Sequence, residues 1–366
     1  MRSTGRVVAL ALGVALAVAA LGACQSAKKG AGAPNLAVTP IVGGLNNPWD
    51  VAFAPDAMYF TERTGAIRAL VGGNPMIVGI PGDVVATGEG GMMGIAVDPE
   101  YASNRVIYTC YTTAVDVRIV RWQVAGDFSH FTAGVPLVTG MPYNGPGVPG
   151  TDGRHSGCRL KIGSDGYLWA GTGDAAITGT AQSLGSHGGK VLRLDRNGAP
   201  APGNASGFIY TYGHRNVQGL AFRPGNGQAY SVEHGPGCDD EVNLLVAGSN
   251  YGWAPGPGYN ENVPMTFAGA TPSVWSSGCP TIAPSGATFL DGPQWKGWNG
   301  ALAVAVLKDR HLRIMFVAAN GGISGTAVAL PGSPRLRGAV QGPDGNLYIT
   351  TDVGGGGGEI WRVQPS

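Results

Sequence analysis

The sequence has little charge of either sign. Only 13% of its 366 residues are Asp, Glu, Lys or Arg, and their near balance leaves a net charge of +1. A basic footprint for nucleic acid is therefore absent. Cysteine is scarce, and none of the five forms a Cys-x-x-Cys pair, which removes the usual zinc spacing. No segment of the mature chain carries a convincing helix of normal length. No Gly-x-Gly-x-x-Gly follows a strand and opens a helix, and no Gly-x-Ser-x-Gly elbow, His-Glu-x-x-His or Walker loop occurs. Dinucleotide-binding, α/β-hydrolase, zincin and P-loop readings fall away with them. The glycine run 354–358 is followed by a strand, so it reads as a hairpin loop and not as a phosphate cradle.

Glycine is abundant instead, with 63 residues and aromatics recurring beside it. That is the composition of a β-rich chain with many tight turns. No G-X-Y period runs through it, which excludes collagen. The length leaves room for one large β domain or two smaller ones.

The first residues read as a targeting segment. Arg2 and Arg6 precede an apolar run from Val7 to Ala20, and Leu21-Gly22-Ala23-Cys24 is similar to a bacterial lipobox. Residues 1–23 are expected to be a lipoprotein signal peptide, with Cys24 lipidated and 24–36 a flexible tether. A plain secretory signal or an uncleaved anchor is the competing reading. Export to the cell envelope follows, on the outer face of the membrane or in the periplasm, with membrane contact through the lipid anchor only.

A weak repeat organises residues 37–366. Its copies are a turn rich in Pro, Asp and Gly followed by an alternating strand: Ala54-Pro55-Asp56 into Met58–Glu62, Asp98-Pro99-Glu100 into Val106-Ile107-Tyr108, Ser164-Asp165-Gly166 into Tyr167-Leu168-Trp169, Arg223-Pro224-Gly225 into Ala229-Tyr230, and Pro343-Asp344-Gly345 into Leu347-Tyr348-Ile349. A degenerate sixth copy falls within Ala287–Phe316. Strand, Asp-Gly turn, strand is a β-hairpin. Six copies at intervals of roughly forty to seventy residues predict an all-β, six-bladed β-propeller of four-stranded antiparallel blades. A β-sandwich with a few Asp-Gly hairpins is the alternative, and the shared aromatic placement in the hairpins favours the propeller. The strand around Val38–Gly43 is expected to close the ring by joining the last blade, Leu336–Val363. The four remaining cysteines, Cys110, Cys158, Cys238 and Cys279, form an even set for an oxidising compartment and allow three connectivities. Blade order favours Cys238–Cys279 and Cys110–Cys158.

Polar groups concentrate from Tyr212 to Trp253. Arg215-Asn216 enters one repeat, Gly235-Pro236 makes a tight turn, and Asp239, Asp240 and Glu241 follow. Main-chain carbonyls and carboxylates on turns suit Ca²⁺. Elsewhere, His155 enters the third repeat and is a candidate base near neutral pH. Lys308 follows a strand of the fifth. Arg335 and Arg337 enter the sixth on one side of a strand. Arg215, Lys308, Arg335 and Arg337 are expected to converge on one polyanion.

These segments resemble the soluble, pyrroloquinoline quinone (PQQ)-dependent aldose dehydrogenases of the glucose/sorbosone dehydrogenase type. The carrying motifs are Gly88-Glu89-Gly90-Gly91-Met92-Met93-Gly94, His155 to Arg159, Gly189-Lys190-Val191-Leu192-Arg193-Leu194-Asp195, Tyr212–Phe222, Glu233–Leu244 with Asn250–Trp253, and Arg335-Leu336-Arg337. The resemblance implies oxidation of an aldose at C1 to the lactone, His155 as base, and Arg215 steadying developing charge. It implies PQQ held by Glu89, Arg215, Asn216, Lys308, Arg335 and Arg337. It further implies one Ca²⁺ on the main-chain oxygens of Gly235 and Pro236, and a second at Glu241 and the Tyr251 carbonyl with Asp240 as helper. Electrons leave to an unknown acceptor. The chain departs from the family pattern at Glu89, where glutamine is usual, at Arg154 before the histidine, at Gly-Cys-Arg after it, and at Gly338. Glu89 places a negative charge towards a tricarboxylate. The loops Met141–Asp152 and Gly256–Pro280 are expected to set sugar specificity. A non-catalytic propeller lipoprotein, binding an envelope glycan or protein partner without cofactor, is the alternative function.

Overall fold

A computed structural model describes residue 1 and residues 32–145 and 153–366. The lipobox, Cys24 and most of the tether lie outside the described residues, as do 146–152 of the first specificity loop.

Six four-stranded antiparallel sheets form the propeller. In chain order, β1 (Leu36–Leu45) is followed by blade 1, made of β2 (Pro48–Phe53), β3 (Met58–Glu62), β4 (Ile67–Val71) and β5 (Asn74–Gly79). Blade 2 holds β6 (Met92–Val97), β7 (Val106–Thr112), β8 (Val117–Gln123) and β9 (Val135–Met141). Blade 3 holds β10 (Gly157–Ile162), β11 (Leu168–Thr172), β12 (Lys190–Leu194) and β13 (Ile209–Tyr212). Blade 4 holds β14 (Val217–Phe222), β15 (Ala229–Glu233), β16 (Glu241–Leu244) and β17 (Trp275–Ser276). Blade 5 holds β18 (Pro284–Phe289), β19 (Leu302–Val306), β20 (His311–Val317) and β21 (Ile323–Ala329). Blade 6 holds β22 (Leu336–Gln341), β23 (Leu347–Thr351) and β24 (Gly358–Pro365), and β1 completes it by pairing with β24. Joining the first strand to the last blade removes a free edge and closes the ring, as the sequence predicted. The glycine run lies in the β23–β24 hairpin, also as expected. Helix is confined to one turn at Tyr101–Asn104 and a 3₁₀ segment at Pro293–Trp298 among the described residues.

Each blade starts at the axis. The first strands β2, β6, β10, β14, β18 and β22 touch one another round the ring, and the Asp-Gly turns of the repeat join first strands to second. At Gly166 and Gly345 these turns need a left-handed φ of +78° and +77°, which glycine adopts without a Cβ penalty. Those turns mark one face of the disc. The start of each first strand and the end of each second strand then lie together on the opposite face.

Every first strand carries a β-bulge near that face. Pairing shifts between Pro48 and Val51, Met92 and Ile95, Gly157 and Arg159, Val217 and Gly219, Pro284 and Ala287, and Leu336 and Gly338. A bulge adds a residue, increases twist and re-aims side chains. Just below, the axis is packed too tightly for most side chains: a Cβ on Gly94 would strike the Cys158 carbonyl, and one on Gly219 the Ser285 carbonyl. Two blades use the space instead. Arg159 and Asp50, both fully buried, pair at 2.5 Å, and Arg159 Nε donates to the Gln218 carbonyl at 2.8 Å. This pair plugs the axis under the polar face.

Both disulfides form as blade order favoured. Cys110–Cys158 ties β7 to the bulge of β10, with Cα atoms 5.6 Å apart, and Cys238–Cys279 links the loop after β15 to the segment entering blade 5, at 4.4 Å.

Candidate active site

The chemistry-bearing residues occupy the face opposite the Asp-Gly turns because each precedes a first strand or follows a second. Glu89, His155, Arg215 with Asn216, and Arg335 precede β6, β10, β14 and β22; Arg63, Asp174, His234 and Asp352 follow β3, β11, β15 and β23. The blade plan therefore gathers segments hundreds of residues apart.

His155 is buried with a left-handed φ of +54°, and its Nδ1–H donates to Asp174 Oδ1 at 2.8 Å. Asp174 also accepts the Ala176 amide at 2.9 Å on Oδ1 and the Trp253 Nε1–H at 2.6 Å on Oδ2. Burial works against its charge, but His155, Trp253 and the Ala176 amide overcome that and hold Asp174 below the usual carboxylate range. An ionised Asp174 keeps the His155 proton on Nδ1, so Nε2 presents a lone pair. No described residue bonds to Nε2. The loop that follows Asp174 is held from below by Lys190, whose buried ammonium donates to the carbonyls of Thr180, Ala181 and Gly188 at 2.8, 2.9 and 2.7 Å.

Asn216 accepts the Gly157 amide on Oδ1 at 3.1 Å and donates from Nδ2 to Glu89 Oε2 at 2.9 Å. Burial alone would raise the Glu89 carboxyl, yet His155, His234, the Asn216 amide and Arg337 hold it below its ordinary value. Glu89 is thus ionised and faces the site. Arg215 is similarly engaged: its Nε and Nη2 meet Glu261 Oε1 at 3.0 and 2.5 Å, and Nη1 donates to the His234 carbonyl at 3.0 Å. Glu261 also pairs with Arg154. Burial, against the pull of Glu89 and with Arg215 and Arg337 nearby, pushes the His234 imidazole down to about 3, and its buried Nε2 has no partner among the described residues.

On the blade 6 side, Arg337 donates to Gln218 Oε1 at 3.1 Å and to Asp352 Oδ2 at 2.9 Å. Arg335 reaches the same carboxylate at 3.4 Å, so the two arginines do share one side. Asn47 adds a bond to Asp352 at 2.9 Å, and Arg63 completes the cluster through its charge. The Arg337 Nε is buried and unpartnered among the described residues. Lys308 follows β19, the second strand of blade 5, and so lies on the same face, but it pairs with no carboxylate among the described residues. It is exposed at the end of β19, and its Nζ donates to Thr281 Oγ1 at 3.1 Å. Arg335 and Arg337 meet on Asp352 with Arg63 near, while Arg215 and Lys308 enter the same face from blades 4 and 5.

The acidic turn divides between two tasks. Asp240 accepts the Gly235 amide at 2.9 Å and the Ile282 and Ala283 amides at 2.5 and 2.8 Å. It staples the Gly235-Pro236 turn to the chain entering blade 5, a load the sequence did not reveal. Glu241 lies buried opposite Glu233 across β15 and β16, and burial with the Glu233 charge pushes its carboxyl up to about 9. Among the described residues no three His, Cys, Asp or Glu side chains gather as for a metal. A cation here would take mainly main-chain oxygens.

A sequence model of the family described as "Glucose / Sorbosone dehydrogenase" matches residues 45–362. The chain belongs to that family. Among its relatives, aldose sugar dehydrogenase YliI of Escherichia coli K12 is 30% identical over 93% of this chain and 96% of its own. A PQQ-bound aldose sugar dehydrogenase from Streptomyces coelicolor superposes with a TM-score of 0.76 at 30% identity, covering 91% of this chain and all of that one. The soluble aldose sugar dehydrogenase of Escherichia coli in its apo form gives 0.80 at 29% identity, covering 91% of this chain and 100% of its own. This dehydrogenase-family membership confirms the expectation of an enzyme. Asp174, Tyr259, Glu261, His234, Arg63 and Asp352 escaped the sequence reading. A recurring signal was present: Thr61-Glu62-Arg63, Thr172-Gly173-Asp174 and Thr351-Asp352 each end a second strand with polar residues.

Proposed function

We propose that this chain oxidises a neutral aldose at C1 to the lactone, with PQQ as the bound electron acceptor. The carrying observation is the His155–Asp174 pair, whose free Nε2 opens beside a cluster of arginines. Two buried polar atoms without partners among the described residues, His234 Nε2 and Arg337 Nε, fit a polar ligand in that cluster. Arg215, Asn216, Arg335 and Arg337 would hold the carboxylates of PQQ, and the Gly235 and Pro236 carbonyls would hold Ca²⁺ beside it. When bound, PQQ supplies the two-electron acceptor for the C1 hydrogen. His155 takes the anomeric hydroxyl proton on Nε2, and Asp174 stabilises the resulting imidazolium. Arg215 would lower the cost of the charge that develops as the C1 hydrogen is transferred. Glu241 and the Tyr251 carbonyl would hold a second Ca²⁺, with Asp240 as helper, and the cation would relieve the repulsion between Glu241 and Glu233. Glu89 and Glu261 already occupy Asn216 and Arg215, so cofactor binding is an exchange of carboxylates. Anchoring through Cys24 and transfer of electrons to an envelope acceptor complete the reading.

Family membership weighs against a non-catalytic propeller. The test is titration of the purified domain with PQQ and Ca²⁺, followed by dye reduction over a sugar panel. Saturable PQQ binding with aldose-dependent reduction is expected. Failure to bind PQQ at micromolar concentration sinks the proposal.

A further inference from the structure

The connection from β16 to β17 does more than cover the site. Its residues 254–264 leave blade 4 and reach over blade 3, where the Tyr259 amide donates to Thr178 Oγ1 at 2.8 Å. Tyr259 and Val263 pack on a small cluster of Ala181, Trp253 and Met265. A Gly256–Asn260 bridge pins the tip, where Tyr259 has a left-handed φ of +57°. That backbone region is disfavoured for a non-glycine residue. The surrounding contacts hold it in place.

The strained tip delivers one hydroxyl to the base. Tyr259 Oη lies 2.8 Å from His155 Nδ1, 2.8 Å from Asp174 Oδ2 and 3.1 Å from Oδ1. Burial and the Asp174 charge both raise the phenol, so it keeps its proton. That proton goes to the carboxylate, leaving an oxygen lone pair towards Nδ1–H. The imidazole N–H is therefore bounded by two acceptors, one from its own blade and one from the next.

We propose that Tyr259 is a positioning residue for His155: from the neighbouring blade, it holds the His155–Asp174 pair with Nδ1 protonated and Nε2 free. The inference rests on His155 serving as the base. Tyr259 does not touch the reacting atoms, since its contact is with the far nitrogen. With the hydroxyl removed, Asp174 loses one of its donors and Nδ1–H one of its two acceptors. Ring orientation and tautomer then depend on a single bond.

Tyr259→Phe tests this with little loss of volume. Nitrogen-15 NMR of the cofactor-free protein is expected to show His155 in a single Nδ1-protonated form in the wild type, and a measurable change of both ring nitrogen shifts in the variant. In the PQQ-loaded protein, kcat should fall by about tenfold with KM changed less than about twofold. Thermal melting within a few degrees of wild type shows that the fold is intact, and Thr178→Ala, which loosens the tip without removing the hydroxyl, should move the same nitrogen shifts less. Unchanged nitrogen shifts in Tyr259→Phe overturn the proposal, even if turnover falls, because the hydroxyl would then be acting on substrate. If the wild type oxidises no aldose, the enzymatic reading fails by itself. The NMR comparison still decides the role of Tyr259.

Discussion

The two sides of the site are built on different principles. On the His155 side, Asp174 accepts from His155, Ala176, Trp253 and Tyr259, and every one of these donors is part of the permanent fold. On the Arg215 side, the cations and amides are engaged by Glu89 and Glu261, two carboxylates on loops that, under the proposed function, a ligand's carboxylates would replace. One side is fixed before any ligand arrives, and the other is held in readiness by internal anions. A base needs a settled tautomer, whereas a binding site for a polyanion needs its cations kept apart and solvated until the polyanion comes.

Removing the fixed side should have the largest effect. His155→Ala is expected to lower kcat by ~10³ while leaving PQQ affinity largely intact, as removal of a general base does. Steady-state kinetics beside a cofactor titration separates the two; unchanged turnover would remove His155 from the role.

The arginine pair of blade 6 is expected to give the next largest effect, on stability. Asp352 and Arg337 are both buried, and Asp352→Asn leaves Arg337 charged with a weakened partner, costing about 3 kcal/mol in denaturant melts. The acid dependence has a definite sign. Burial opposes the Asp352 charge, but Arg337, Asn47 and Arg63 depress its folded pKa well below the ordinary carboxylate value. Its contribution is therefore complete above about pH 4 and is lost as pH falls further. The Asn variant should show a flatter loss of stability below pH 4. An equally steep acid limb would locate that proton uptake elsewhere.

The exchangeable side predicts a gain. Glu89→Gln removes one ionised carboxylate facing the cofactor and keeps an acceptor for Asn216, so PQQ should bind on the order of tenfold tighter. Glu261→Gln should act in the same direction but less, because Arg154 loses its partner as well. Isothermal titration in fixed Ca²⁺ reads both. Weaker binding in Glu89→Gln would mean that the charge serves the site and does not oppose it.

Much of this division was legible in the sequence, and the exceptions share a cause. His155, Arg215, Asn216, Arg335 and Arg337 sit at the starts of first strands, where a repeat followed along the chain leads directly to them. Ring closure through β1 and both disulfides followed from the same repeat. Asp174, His234 and Asp352 end second strands, and their roles appear only when a hairpin returns them beside the first. Tyr259 and Glu261 lie in a connection whose path over blade 3 no local periodicity encodes. The bulges at the tops of the first strands were invisible for a similar reason. They are defined by the register of a pair, and alternation within one strand predicts no shift.

Of the four expected cofactor cations, Lys308 alone has no carboxylate partner among the described residues, and it predicts the smallest effect. Family pattern places it on a cofactor carboxylate, yet its ammonium bonds Thr281 Oγ1 and stands exposed on blade 5. An exposed, screened charge on a flexible stem contributes little to binding. Lys308→Ala should therefore change PQQ affinity by less than about twofold at physiological ionic strength, with Arg337→Ala as the contrasting variant. A loss near tenfold would mean that the Lys308 side chain swings inward when the polyanion binds. Blade 5 would then belong to the exchangeable side of the site.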